Sequence, residues 1–122
     1  MLKSCRELQV WQRSTQLATA VCRLASSFPR DETYGLSSQM KRAAVSVASN
    51  IAEGYGRITG GEYRQFLGIA RGSVLELQTQ FEIARALDMG DGTQLDAAEA
   101  LSEEVSKILY SMIDKLKTTK AN

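Results

Sequence analysis

An all-α protein, an antiparallel up-down-up-down four-helix bundle, is the fold this sequence predicts. Three observations carry the prediction. Apolar residues recur at spacings of three and four along four long stretches. Three of the stretches follow a hydroxyl residue with an acid three positions later, the signature of a helix start. The one proline, Pro29, and the Met89-Gly90-Asp91-Gly92 run sit between stretches, where chains turn.

With 122 residues the chain makes one domain, 1–122, large enough to fold without metal or disulfide. The first helix is expected from about residue 5 to 27. It is opened by Ser4 with Glu7 and stopped by Pro29, which lacks a donor N–H and disfavours helix in the residue before it. Its stripe is Leu8, Trp11, Thr15, Ala18, Cys22 and Ala25, widened by Val10, Leu17, Val21, Leu24 and Phe28. A connector spans 30–35. The second helix is expected from Leu36 or Ser37 to Tyr55, with Met40, Ala43, Ala44, Val47 and Ile51 inward. Gly54 and Gly56 are placed to end it in a left-handed cap.

The third helix, about 60–87, is opened by Thr59 with Glu62. Its stripe runs through Tyr63, Phe66, Ala70, Val74, Leu77, Phe81 and Ala84. Gly68 and Gly72 fall one turn apart in it. Each costs about 1 kcal/mol relative to alanine, so they are expected to let this backbone approach Ala43, Ala44 and Ala48. The fourth helix, about 93–117, is opened by Thr93 with Asp96 and buries Ala98, Leu101, Val105, Ile108, Met112 and Leu116. A basic tail at 115–122 is expected to fray. Short connections make sequential helices antiparallel.

The second helix also carries a polar ladder: Gln39, Arg42, Ser46, Asn50, Glu53 and Arg57, at spacings of 3, 4, 4, 3 and 4. That period keeps a seam facing its partners. Ser73, Glu76 and Gln80 make a matching stripe on the third helix. Two readings follow. The ladder with Ser73 and Glu76 is a buried hydrogen-bonded network or subunit interface that sets register. Alternatively Lys41, Arg42, Arg57, Arg64 and Arg71 bind nucleic acid, with Tyr55 and Tyr63 stacking on bases.

Charge is uneven although the total is only +1. The first 57 residues hold eight bases and four acids, and Asp88 to Glu104 hold six acids and no base. Such polarity suits head-to-tail assembly or one basic face. The absence of histidine removes the commonest general base and zinc ligand. No metal, cofactor or small-molecule substrate is expected. Glu53 and Glu76 are the one candidate carboxylate pair, and each is expected to pair with an arginine such as Arg42 or Arg57 instead. Cys5 and Cys22, 17 residues apart, are too distant along a helix to bridge. They read as reduced thiols in the cytoplasm. Neither a membrane span nor a signal peptide is expected.

One further pattern spans roughly residues 5–90. Leu8 and Val10-Trp11-Gln12 lead into Phe28-Pro29, Glu32, Gly35-Leu36, Ser38-Gln39, Arg42-Ala43-Ala44 and Ser46. Asn50-Ile51-Ala52-Glu53-Gly54 and Gly56-Arg57 follow, then Glu62, Phe66-Leu67, Ile69-Ala70, Gly72-Ser73 and Glu76-Leu77. This order resembles the bacterial four-helix-bundle family of proteins encoded in intervening sequences of large-subunit ribosomal RNA genes. Ala48 stands where relatives often carry proline. The resemblance implies a homopentamer. It also implies similarity to the accessory proteins of diversity-generating retroelements, basic pentameric barrels that bind nucleic acid and a reverse transcriptase. No established biochemical activity comes with it. The expectation is a non-enzymatic, homo-oligomeric scaffold or accessory protein, with RNA or a nucleoprotein as candidate partner.

Overall fold

The computed structural model describes residues 4–32 and 35–121. Its long helices are α1 (Gln9–Ala25), α2 (Leu36–Tyr55), α3 (Gly60–Ala86) and α4 (Gly92–Ala121), with short 3-10 turns at Cys5–Glu7 and Arg30–Glu32. Positions 33 and 34 of the expected connector, and Asn122 at the end of the tail, lie outside the described residues. Each helix packs on its two neighbours in the order α1, α2, α3, α4 and back to α1.

Side-chain meetings fix the directions. Ser46 meets Ser73, while Gly54 lies against Tyr63 and Phe66, so α2 and α3 run oppositely. Gln78 with Ser102 and Arg85 with Asp96 do the same for α3 and α4. Arg13 with Glu104 and Ser27 with Asp91 reverse α4 against α1. The core lies on the common axis. Leu17, Val21, Leu24, Met40, Val47, Ile51, Leu67, Val74, Leu77, Phe81, Val105 and Leu109 are all buried there.

In α1 the deep line is Val10, Ser14, Leu17, Val21, Leu24 and Ala25, whereas Thr15 and Ala18 are partly covered and Cys22 is exposed. Apart from Ala25, the expected primary stripe is therefore the rim, and the residues expected to widen it form the core. The larger aliphatic chains take the deeper position, where they remove more apolar area from water.

Three start and stop signals act differently from expectation. Ser4 accepts from Arg6 N at 3.2 Å and caps only the 3-10 turn; Leu8 is extended, and α1 begins after it. Asp91 rather than Thr93 starts α4: its carboxylate accepts from Gln94 N at 2.9 Å, which leaves Asp96 free to pair with Arg85. Gly56 ends α2 in a right-handed conformation, φ −78°, not a left-handed one. The Thr59 box forms as expected, with Glu62 N donating to the hydroxyl at 3.1 Å. Helix α4 also continues to Ala121, through most of the tail expected to fray.

The turn after α3 shows how an acid replaces glycine. Asp88 takes φ 52°, Met89 N donates to Ala84 O at 2.9 Å and Asp88 N to Arg85 O at 3.2 Å, the two bonds of a Schellman cap. Two residues on, Gly90 has φ 82°, and a Cβ there would lie 2.5 Å from the Phe28 ring.

The close approach of α2 and α3 is real but belongs to another glycine. Nothing lies within 4 Å of a Cβ built at Gly68 or Gly72, which face outward. A Cβ at Gly54 would lie 2.7 Å from Phe66 Cβ. Gly54→Ala should therefore destabilise by about 1–3 kcal/mol through overpacking. Gly72→Ala should stabilise by up to about 1 kcal/mol. Urea unfolding of the two variants checks both signs.

Candidate functional site

The polar ladder lies along the outer groove between α2 and α3. Its floor is three side chains. Ser46 Oγ and Ser73 Oγ share a hydrogen bond of 3.0 Å across the helices. Asn50 Nδ2 donates to Ser46 O at 2.8 Å and to Ser46 Oγ at 3.0 Å. All three are half-buried. A serine in mid-helix often bonds its own backbone; here Ser46 is turned across to α3, and Asn50 satisfies the carbonyl behind it.

The rim is wetter. Gln39, Arg42, Glu53, Arg57 and Glu76 are exposed in the single chain. Burial thus holds for none of these five, and only the interface half of the expectation remains for them. Arg57 pairs with Glu53 at 3.0 Å within α2 and lies over the Phe66 ring, 4.7 Å from its centroid. Glu76 accepts from Gln80 Nε2 at 3.2 Å, so its partner is an amide rather than the expected arginine. Arg42 makes a long contact, 3.4 Å, with Ser38 Oγ. Gln39, Arg42, Ala43, Ser46, Ser73 and Glu76 line an open groove of about 380 Å³.

Glu53 and Glu76 do not face each other. Glu53 stands one residue from Gly54, which meets Phe66, whereas Glu76 lies ten residues further along α3. That is roughly 15 Å of helix axis, too far for two carboxylates to share one reacting group.

The basic residues divide between two grooves. Lys41 and Arg42 are exposed on α2, and Arg57 is held by Glu53. Arg71 turns toward α4, 5.6 Å over the Tyr110 ring, and Arg64 sits seven residues before it on the same side. Tyr55 and Tyr63 pack edge to face at 6.3 Å, each being the other's ring partner rather than an open platform. Burial, then the nearby Tyr55 and Cys5, raises the Tyr63 phenol above its ordinary value.

A second polar seam between α3 and α4 was not anticipated. Arg64, Arg71, Gln78 and Arg85 recur every seven residues, which is the signal that identifies it. Gln78 Nε2 donates to Ser102 Oγ at 3.2 Å, and Arg85 holds Asp96 at 3.0 Å and Glu99 at 2.8 Å. Arg13 Nε and Glu104 Oε1, 3.1 Å apart, link α1 to α4 as an ion pair without hydrogen-bond alignment. Three of the six acids of the base-free run, Asp96, Glu99 and Glu104, are thus met by two arginines of other helices.

The family match now has its geometry. Residues 6–111 match the model of the 23S rRNA-intervening sequence protein family. This chain belongs to that family. The match extends through most of α4, well beyond the residues that carried the resemblance. Among solved structures, a protein of unknown function from the S23 ribosomal protein family of Bacteroides thetaiotaomicron VPI-5482 superposes with TM-score 0.79. It is 22% identical, over 85% of this chain and 97% of that one, and shares the fold. Comparison with curated proteins finds no match. Among the described residues, no helix is long and apolar enough to cross a membrane.

The raised phenol has a consequence for alkaline stability. The unfolded chain ionises Tyr63 near pH 10, while the folded chain resists it. The stabilisation is fully present below that pH and is lost as pH rises through the higher folded value. Tyr63→Phe should lose less stability between about pH 9 and 11 than the parent; denaturant melts across that range measure it.

Proposed function

We propose that this protein is a non-enzymatic scaffold or accessory factor that works as a closed homo-oligomer, five-fold in the form the family resemblance suggests. The observation that supports it best is the α2–α3 groove: a hydrogen-bonded floor beneath an exposed rim of Gln39, Arg42 and Glu76. Large apolar side chains also stand in water on the same two helices. Val45, Ile69, Leu75 and Ile83 are each between 44% and 50% exposed. Covering them with protein would contribute about 25 cal/mol per Å² of apolar area. The two free thiols, Cys5 and Cys22, suit the cytoplasm, where such groups stay reduced.

An RNA-binding accessory role is the second reading. Lys41 and Arg42, exposed on α2, are the cations that favour it, and a ring would repeat them around its edge. Arg57 adds little net charge beside Glu53.

Light scattering after gel filtration tests the first reading. The expected mass is several times the 13.4 kDa of one chain, and a single-chain mass at micromolar concentration contradicts it. Asn50→Leu should fold but change that mass, because the groove floor loses the amide that fixes Ser46. An unchanged mass would leave Asn50 without a role in assembly. For RNA binding, affinity should fall steeply with salt and weaken in Arg42→Ala.

A further inference from the structure

We propose that the α3–α4 groove around Arg71 is a binding site for a small phosphate ester that carries a planar ring, a nucleoside monophosphate in chemical class. Arg71 and Lys107 take the phosphate, and Tyr110 takes the ring. The site is complete within one chain and leaves the α2–α3 groove free, so it depends on neither reading given above.

The α3–α4 seam changes character along its length. At one end Arg85 is answered by Asp96 at 3.0 Å and Glu99 at 2.8 Å. Fourteen residues back along α3 from Arg85 stands Arg71, and fourteen residues on along α4 from Asp96 stands Tyr110. In an antiparallel pair these two are level again, and they meet, guanidinium over ring at 5.6 Å. Seven residues further in each direction bring Arg64 level with Lys117. The register that offers a carboxylate to Arg85 thus offers an aromatic ring to Arg71 and a second cation to Arg64. Lys107, three residues before Tyr110, adds another positive charge to the same groove. Among the described residues, none of Arg64, Arg71 and Lys107 forms an ion pair.

Two donors of this half are buried and unanswered. The Nε atoms of Arg64 and Arg71 have no hydrogen-bond partner among the described residues. A buried N–H without an acceptor is costly, and a guanidinium fork matches phosphate oxygens two at a time. The groove at Arg71 has a volume of about 400 Å³, within the roughly 300–1,000 Å³ of small-ligand sites. Two cations face one carboxylate in its lining, Arg71 and Lys107 against Glu103, and Ser106 adds a hydroxyl donor. The net field therefore selects an anion. Tyr110 is 62% exposed although Arg71 lies against one face of its ring. A bare oxyanion has no use for that wet aromatic surface, whereas a nucleobase stacks on it.

Calorimetric titration with adenosine 5′-monophosphate, adenosine and inorganic phosphate tests the site. The monophosphate should bind, and the other two should bind at least about ten-fold more weakly, one lacking the charge and the other the ring. Lys107→Ala and Arg71→Gln should each weaken the monophosphate by about ten-fold. Glu103→Gln should tighten it, and Tyr110→Leu should reduce it to the level of inorganic phosphate. Arg23→Ala, which removes an exposed cation on α1, should leave it unchanged. Circular dichroism checks that each variant stays helical. Lys107 is exposed, so its truncation tests the site even where Arg71→Gln disturbs the packing. A parent protein that does not bind the monophosphate, or unchanged affinity in Lys107→Ala, overturns the proposal. Equal affinity for the monophosphate and inorganic phosphate overturns the assignment to a nucleotide. A single-stranded oligoribonucleotide that binds where the monophosphate does not overturns it too, and favours the RNA-binding reading instead.

Discussion

Much of the α2–α3 face depends on one small contact, the 3.0 Å bond between Ser46 and Ser73 with Asn50 closing behind it. Apolar helices slide past one another at little cost, since one leucine replaces another. A hydroxyl pair that must meet permits one register, and a mismatch leaves half-buried polar groups unpaired at about 1–3 kcal/mol each. Gly54 adds a steric stop a few turns away, where Phe66 comes too close for any side chain. Register and distance between these helices are set by different residues at different heights.

Consequences follow outward from that seam. With the floor closed, the remaining ladder residues are displaced to the rim, where Arg42 and Gln39 find few partners within the chain. Exposed ion pairs such as Arg57 with Glu53 contribute roughly 0–1 kcal/mol, so they do little to hold the bundle. A single chain therefore has a well-determined core and an under-used surface on α2 and α3. Helix α4 differs: its Asp96, Glu99 and Glu104 pair with Arg85 and Arg13, which tie it to α3 and α1.

Helix number, order and approximate ends were legible in the sequence because they depend on local signals, periodicity and turn residues. Where two signals competed, neighbours decided. Asp91 and Thr93 both precede α4, and the residue that could reach the free Gln94 N–H won. Gly54, Gly68 and Gly72 look alike as letters; only the position of Phe66 separates a glycine required by packing from two that are not. The polar ladder was legible as a period. How far each member is covered was not, since that depends on the inclination of α3 and on any further copy. The α3–α4 seam carried an equal signal at seven-residue spacing, diluted by the intervening glycines and apolar residues.

The central claim is that the rim of the α2–α3 groove is covered by protein in the working molecule. Carboxylate footprinting with a carbodiimide across a dilution series measures this directly. Glu76 is expected to be protected at high protein concentration and to become reactive on dilution, while Glu82, exposed on α3 away from the groove, reacts equally throughout. Reactivity of Glu76 that matches Glu82 at every concentration would contradict the account.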